Sequence, residues 1–134
     1  MYFADLTPYA CFGRPPALTV GWLDASHAFA SGDVPHGFIE RLRTLARKPT
    51  VKTLGFHLCP FCDFGSSVDR SDEPAFHAQY QRWKEAEALG SAEIRVVGRR
   101  GTVYAAPTLI WHYVATHRYQ PPQEFIEAVM EMAI

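Results

Sequence analysis

The sequence predicts a small α+β domain, a short antiparallel sheet covered mainly on one face by about four helices. Three observations predict it. A chain of 134 residues suits a single domain with a modest core. Short runs rich in β-formers alternate with stretches whose apolar residues recur at helical spacing. Hydrophobic residues make up 48% and charged residues 20%, the balance of a folded chain rather than a disordered one.

Residues 1–16 read as an irregular lead-in, because Pro8, Gly13, Pro15 and Pro16 break any periodic pattern. Cys11, alone within it, reads as a small packing residue. The run from Ala17 to Leu23 is short and β-rich and reads as a strand. Asp24 to Gly32 is a turn-rich connection in which His27 is solvated. Asp33-Val34-Pro35 then supplies an acidic cap and a first-turn proline. Phe38, Ile39, Leu42 and Leu45 recur at helical spacing, so a helix is predicted over 35–47. Glu40, Arg41, Arg43 and Arg47 form its solvated face, and His36 its exposed first turn.

Pro49 ends that helix, and Val51 to Phe56 reads as a second strand. It delivers the chain to His57 and to Cys59-Pro60-Phe61-Cys62, a zinc-knuckle-like turn. Residues 63–73 are rich in Ser, Asp and Gly and are expected to be mobile. Ser71-Asp72-Glu73-Pro74 opens another helix, with Phe76, Tyr80 and Trp83 on one face, running to about Leu89 and stopped by Gly90. His77 lies beside that face and reads as structural or exposed. Residues 92–97 and 102–105 read as a β-hairpin turning at Gly98-Arg99-Arg100-Gly101. Pro107 opens a helix with Leu109, Ile110, Tyr113 and Val114 as its buried stripe. Pro121-Pro122 stops it and opens a last helix, with Phe125, Ile126, Val129 and Met132 inward.

A net charge of −1 removes the electrostatic footprint of a nucleic-acid or anionic-membrane binder. No apolar run reaches the length of a membrane span, and the N-terminus lacks the pattern of a signal peptide. The expected location is the cytoplasm, where paired thiols more often bind metal or react than form staples.

The Cys-x-x-Cys turn is therefore read as half of a zinc site. Two residues between thiolates let both sulfurs face one ion, but zinc takes four ligands. His112 and His117, spaced as His-x4-His, supply the other two. Two thiolates and two neutral imidazoles around a divalent cation make a neutral cluster suited to burial. Positions five apart on a regular helix diverge by about 140°. Both histidines therefore meet one ion only if the helix loosens or tightens near His117, which the nearby Pro121 permits. If the helix stays regular, His57 replaces one of them; otherwise His57 supports the site from outside the ligand set.

Cys59-Pro60-Phe61-Cys62 also resembles the active-site tetrapeptide of glutaredoxins, and Ala106-Pro107-Thr108 faintly resembles the cis-proline segment of thioredoxin-like folds. That resemblance implies thiol-disulfide exchange, with one low-pKa thiol attacking and a second resolving. The predicted elements differ: a loop follows the cysteines, a hairpin precedes Pro107 and a helix follows it.

The chain as a whole resembles an uncharacterised group of small bacterial proteins. The matching stretches are Ala4 to Tyr9, Val20 to Leu23, Gly55-Phe56-His57 with both cysteines, Tyr104 to Pro107, and His112-Tyr113, His117, Tyr119, Pro121-Pro122 and Phe125. The resemblance implies that the cysteines and downstream histidines belong to one recurring pattern, and it carries no activity. The functional expectation is a structural zinc site in a protein-binding or adaptor module, with Tyr9, Trp22, Trp111 and Tyr119 as candidate contacts for a protein partner. The alternatives are the thiol oxidoreductase and a zinc hydrolase, in which Asp63 or Glu93 would serve as general base.

Overall fold

A computed structural model describes residues 2–9, 16–48, 51–61, 74, 77–78 and 89–132, with only the backbone described over 51–58 and 89–91. The strands are β1 (Pro8–Tyr9), β2 (Ala17–Thr19), β3 (Val51–Leu58), β4 (Leu89–Val97) and β5 (Val103–Pro107). The helices are α1 (Phe38–Arg47), α2 (Ile110–His117) and α3 (Gln123–Glu131). The fold is α+β, and the strands form one sheet in the order β1-β2-β5-β4-β3.

The sheet is mixed rather than antiparallel. β2 runs parallel to β5, pairing Leu18 with Tyr104 and Thr19 with Ala105, while the other three pairings are antiparallel. The lead-in is tied into the sheet as well. Pro8 pairs with Leu18, and the Thr19 hydroxyl donates to the carbonyl of Ala4 at 3.0 Å. Such pairings join residues distant in sequence, so no local periodicity announces them.

The hairpin forms as predicted, with Val97 opposite Val103 and Ile94 opposite Ala106. Gly101 closes its turn in the left-handed region, at φ 82°, where a side chain would be strained. β4 begins earlier than predicted. Leu89 and Gly90 are strand residues opposite Leu58 and His57, so Gly90 does not stop a helix. Pro107 is the last residue of β5, opposite Glu93, and α2 begins three residues later at Ile110. α1 likewise starts at Phe38, not Pro35, because Gly37 takes φ 87° and interrupts helical geometry.

Three helices are described where about four were predicted. Pro74, His77 and Ala78 are helical and exposed, while the predicted face of Phe76, Tyr80 and Trp83 lies outside the described residues. So do Cys11 and the loop predicted over 63–73.

The core sits between the helices and one sheet face. Phe38 and Leu42 of α1 meet Ile94 and Val96 of β4, Ile110 and Tyr113 of α2, and Phe125 and Val129 of α3. Each fully buried side chain of this size contributes about 1.5–3 kcal/mol relative to exposure. Alternation along β4 sends Glu93 and Arg95 to the opposite face, where Arg95 Nε donates to Glu93 Oε2 at 2.9 Å. The predicted solvated face of α1 is only partly so. Arg41 Nη1 donates to the carbonyl oxygens of Met132 at 2.7 Å and Val129 at 3.4 Å, capping the end of α3. The Arg43 guanidinium stands 4.8 Å over the Trp111 ring.

Candidate metal centre

β3 ends at Leu58, and the next residue, Cys59, turns into the core with 3% of its surface exposed. Pro60 and Phe61 form the turn behind it. Phe61 fixes that turn by packing edge-on against Phe29 (5.2 Å between centroids) and Tyr113 (5.9 Å), and tilted against His117 (5.3 Å). The thiol turn is thereby held against α2.

α2 carries His112 in its middle, 5% exposed, on the side of the helix that also buries Tyr113. His117 is its last residue. The helix ends there because Arg118 takes left-handed geometry (φ 57°, ψ 26°). The N–H groups of both Arg118 and Tyr119 then donate to the Tyr113 carbonyl, the latter at 3.2 Å, so the Arg118 bond spans five residues, a π-type widening, in place of the four of an α-helix. The final turn is therefore not regular α-helix. The two imidazoles, which a regular helix would splay apart, come to 5.2 Å between centroids at 75°. The loosening predicted near His117 is present, and its local cause is Arg118 rather than Pro121.

Cys59 Sγ lies 3.2 Å from His117 Nε2. One donor atom from each of Cys59, His112 and His117 falls within 4.8 Å of the others. Two donors on a tetrahedral zinc with Zn–S near 2.3 Å and Zn–N near 2.05 Å stand about 3.6 Å apart. The cluster is within an ångström or so of that spacing. Burial holds the His117 imidazole below its ordinary pKa and so favours the neutral form that a metal requires. The Thr116 hydroxyl stands 3.4 Å from His112 Nδ1, a contact of the kind that orients a ligating imidazole.

Three of the four predicted ligands, Cys59, His112 and His117, are thus brought together. Cys62 lies outside the described residues. The backbone of His57 is paired opposite Gly90, and its side chain is not among those described. Glu93, one of the two candidate bases, is committed to Arg95 on the far sheet face, and Asp63 lies outside the described residues. Of the aromatics read as partner contacts, Tyr119 is wholly buried, with its hydroxyl donating to Asp5 Oδ2 at 2.7 Å. Trp22 is half-buried and donates its indole N–H to the Ala105 carbonyl at 3.0 Å.

Sequence reasoning missed Asp5. One of its carboxylate oxygens accepts from Gly21 N–H at 3.1 Å, and the other from Tyr119. An acidic residue in a proline-broken lead-in gives no local signal of such a role.

No described helix is long and apolar enough to cross a membrane. A family model described as Domain of unknown function (DUF7919) matches residues 1–130, and the chain belongs to that family. No curated protein and no solved structure matches the chain.

Proposed function

We propose that this member of a family of unknown function is a zinc-binding protein whose site, Cys59, Cys62, His112 and His117, serves architecture. The observation that carries the reading is the convergence of the Cys59, His112 and His117 donor atoms within 4.8 Å, across elements far apart in the chain. A thiolate with two imidazoles is a borderline-soft set, suited to zinc rather than to magnesium or calcium. The second thiolate of the Cys-x-x-Cys pair completes four-coordination.

Burial of Cys59 and His112 favours a structural role over a catalytic one. The neutral donor set, the near-zero net charge and the thiol pair fit a cytoplasmic protein-binding module that takes neither nucleic acid nor membrane as partner. Among the described residues nothing supports the thiol-oxidoreductase and hydrolase readings better than the metal reading.

The test is metal analysis of the purified chain, with thermal unfolding followed with and without a chelator. One zinc per chain is expected, together with a lower Tm once zinc is removed. Cys59→Ser, Cys62→Ser and His117→Ala should each lose stoichiometric zinc. A chain that takes up no zinc, or one whose unfolding is indifferent to the chelator, overturns the reading. Zinc binding that survives Cys62→Ser would instead move the fourth ligand to another residue, with His57 the first to examine.

A further inference from the structure

We propose that Asp5 and Tyr119 are positioning residues for the metal site, holding the end of α2 in the geometry that turns His117 toward Cys59 and His112. The inference rests on the metal reading above.

The argument begins with strain. Arg118 is neither glycine nor asparagine, yet it occupies the left-handed region at φ 57°. That conformation costs a side-chain-bearing residue free energy and persists only where its surroundings over-determine it. It is also the step that ends α2 at His117.

The restraints converge on the residues just after His117. Tyr119 has 0% of its surface exposed, and its ring meets Phe29 at 5.9 Å. Its backbone bridges to Ser31, flanked by hydrogen bonds from Gly32 N–H to the Arg118 carbonyl (3.1 Å) and from Gln120 N–H to the Ala30 carbonyl (2.9 Å). At the far end of the ring, the hydroxyl donates to Asp5 Oδ2 at 2.7 Å while Asp5 Oδ1 accepts from Gly21 N–H. The Asp5 carboxylate thus clamps Tyr119 to the chain just after β2, and a clamped Tyr119 leaves Arg118 no helical alternative. Removing the clamp would let the last turn of α2 relax toward regular helix and swing His117 away from Cys59.

The pair touches no ligand atom, so its effect must be read on the metal. The test uses the full chain stripped of metal, then titrated with Co2+ and with Zn2+ against a chromophoric chelator. Tyr119→Phe deletes only the hydroxyl, and Asp5→Ala leaves every ring in place. Each is expected to weaken Zn2+ binding about tenfold, the lower end for residues that orient metal ligands. Each should also alter the visible d–d bands of the Co2+ form, which report ligand geometry.

Asp5→Asn keeps an acceptor for Gly21 N–H and offers an amide N–H to the tyrosine oxygen, so it should bind metal nearly as the wild type does. Arg118→Gly, which takes the left-handed conformation without strain, should recover affinity in the Tyr119→Phe background. Wild-type chain that binds neither ion sinks the metal reading itself. Wild-type chain that binds, alongside Tyr119→Phe and Asp5→Ala that bind within twofold and show unchanged Co2+ bands, overturns the positioning role alone. A lower Tm of the metal-free variants with unaltered affinity has the same meaning.

Discussion

Replacing Gly21 by alanine tests the close approach on which the junction of β2 and α2 depends. Gly21 has φ 79°, and a Cβ built there would stand 2.8 Å from Ile110 Cδ1 and 2.9 Å from Ile110 Cγ1. Ile110 is fully buried and opens α2, so it has little room to yield. Two costs add. Left-handed geometry costs an alanine about 1–2 kcal/mol, and overpacking a dense core costs about 1–3 kcal/mol. Gly21→Ala should therefore destabilise by about 2–5 kcal/mol.

The two terms separate in a double-mutant cycle. Ile110→Ala removes both close carbons and leaves Cβ at an ordinary 3.4 Å. In that background Gly21→Ala should cost only the conformational term, about 1–2 kcal/mol, so the coupling between the sites is about 1–3 kcal/mol. Urea unfolding of the four proteins, at fixed metal content, measures it. A Gly21→Ala cost below about 0.5 kcal/mol, or an identical cost in both backgrounds, would refute the steric reasoning.

Two further outcomes follow from the same packing. Arg41→Ala should lower stability by about 1–2 kcal/mol, because the carbonyls of Val129 and Met132 lose a charged donor at the negative end of α3; denaturant melts check it, and an unchanged midpoint would show the cap to be idle. Burial, then the hydrogen bond to Glu124 Oε2 at 2.7 Å, pushes the Tyr104 pKa up to about 12. A raised pKa means that the folded state favours the protonated phenol. The stabilisation is therefore complete below pH 10 and disappears as pH rises through about 12. Ultraviolet titration should show a tyrosine step near pH 12 that Tyr104→Phe removes, while Tyr119, pushed higher still by burial and the Asp5 carboxylate, ionises only beyond it.

The elements legible in the sequence are those whose signals are local. The Gly98–Gly101 turn between alternating runs specifies the hairpin, and the spacing of Phe38 and Leu42, or of Phe125, Ile126 and Val129, specifies helices whose faces are indeed buried. Three breaker residues, Gly90, Pro107 and Pro35, were misread because each is compatible with two contexts. Gly90 caps no helix and pairs in β4; Pro107 ends a strand; Pro35 precedes Gly37, which delays α1 by taking a positive φ. The parallel pairing of β2 with β5 joins residues whose side chains carry no mark of their partner. The metal donors were legible as residue types at metal-binding spacing. Their convergence was expected on condition that the helix loosen near His117; the device that loosens it, a left-handed Arg118, was not legible, because no glycine announces it.

Charge explains why the three described donors ask for a fourth of a particular kind. A divalent ion held by the Cys59 thiolate and two neutral imidazoles keeps one net positive charge beside side chains that are 3% and 5% exposed. Burying an uncompensated charge costs several kcal/mol even after the surroundings relax. Described carboxylates do not offset it, since Asp5 is committed to Gly21 and Tyr119, and Glu93 to Arg95. A second thiolate cancels the charge, and Cys62 follows Cys59 by three residues in the sequence. A neutral donor such as His57 would fill the coordination number but leave the charge in place. On this ground we propose Cys62 as the fourth ligand, with His57 as a supporting residue.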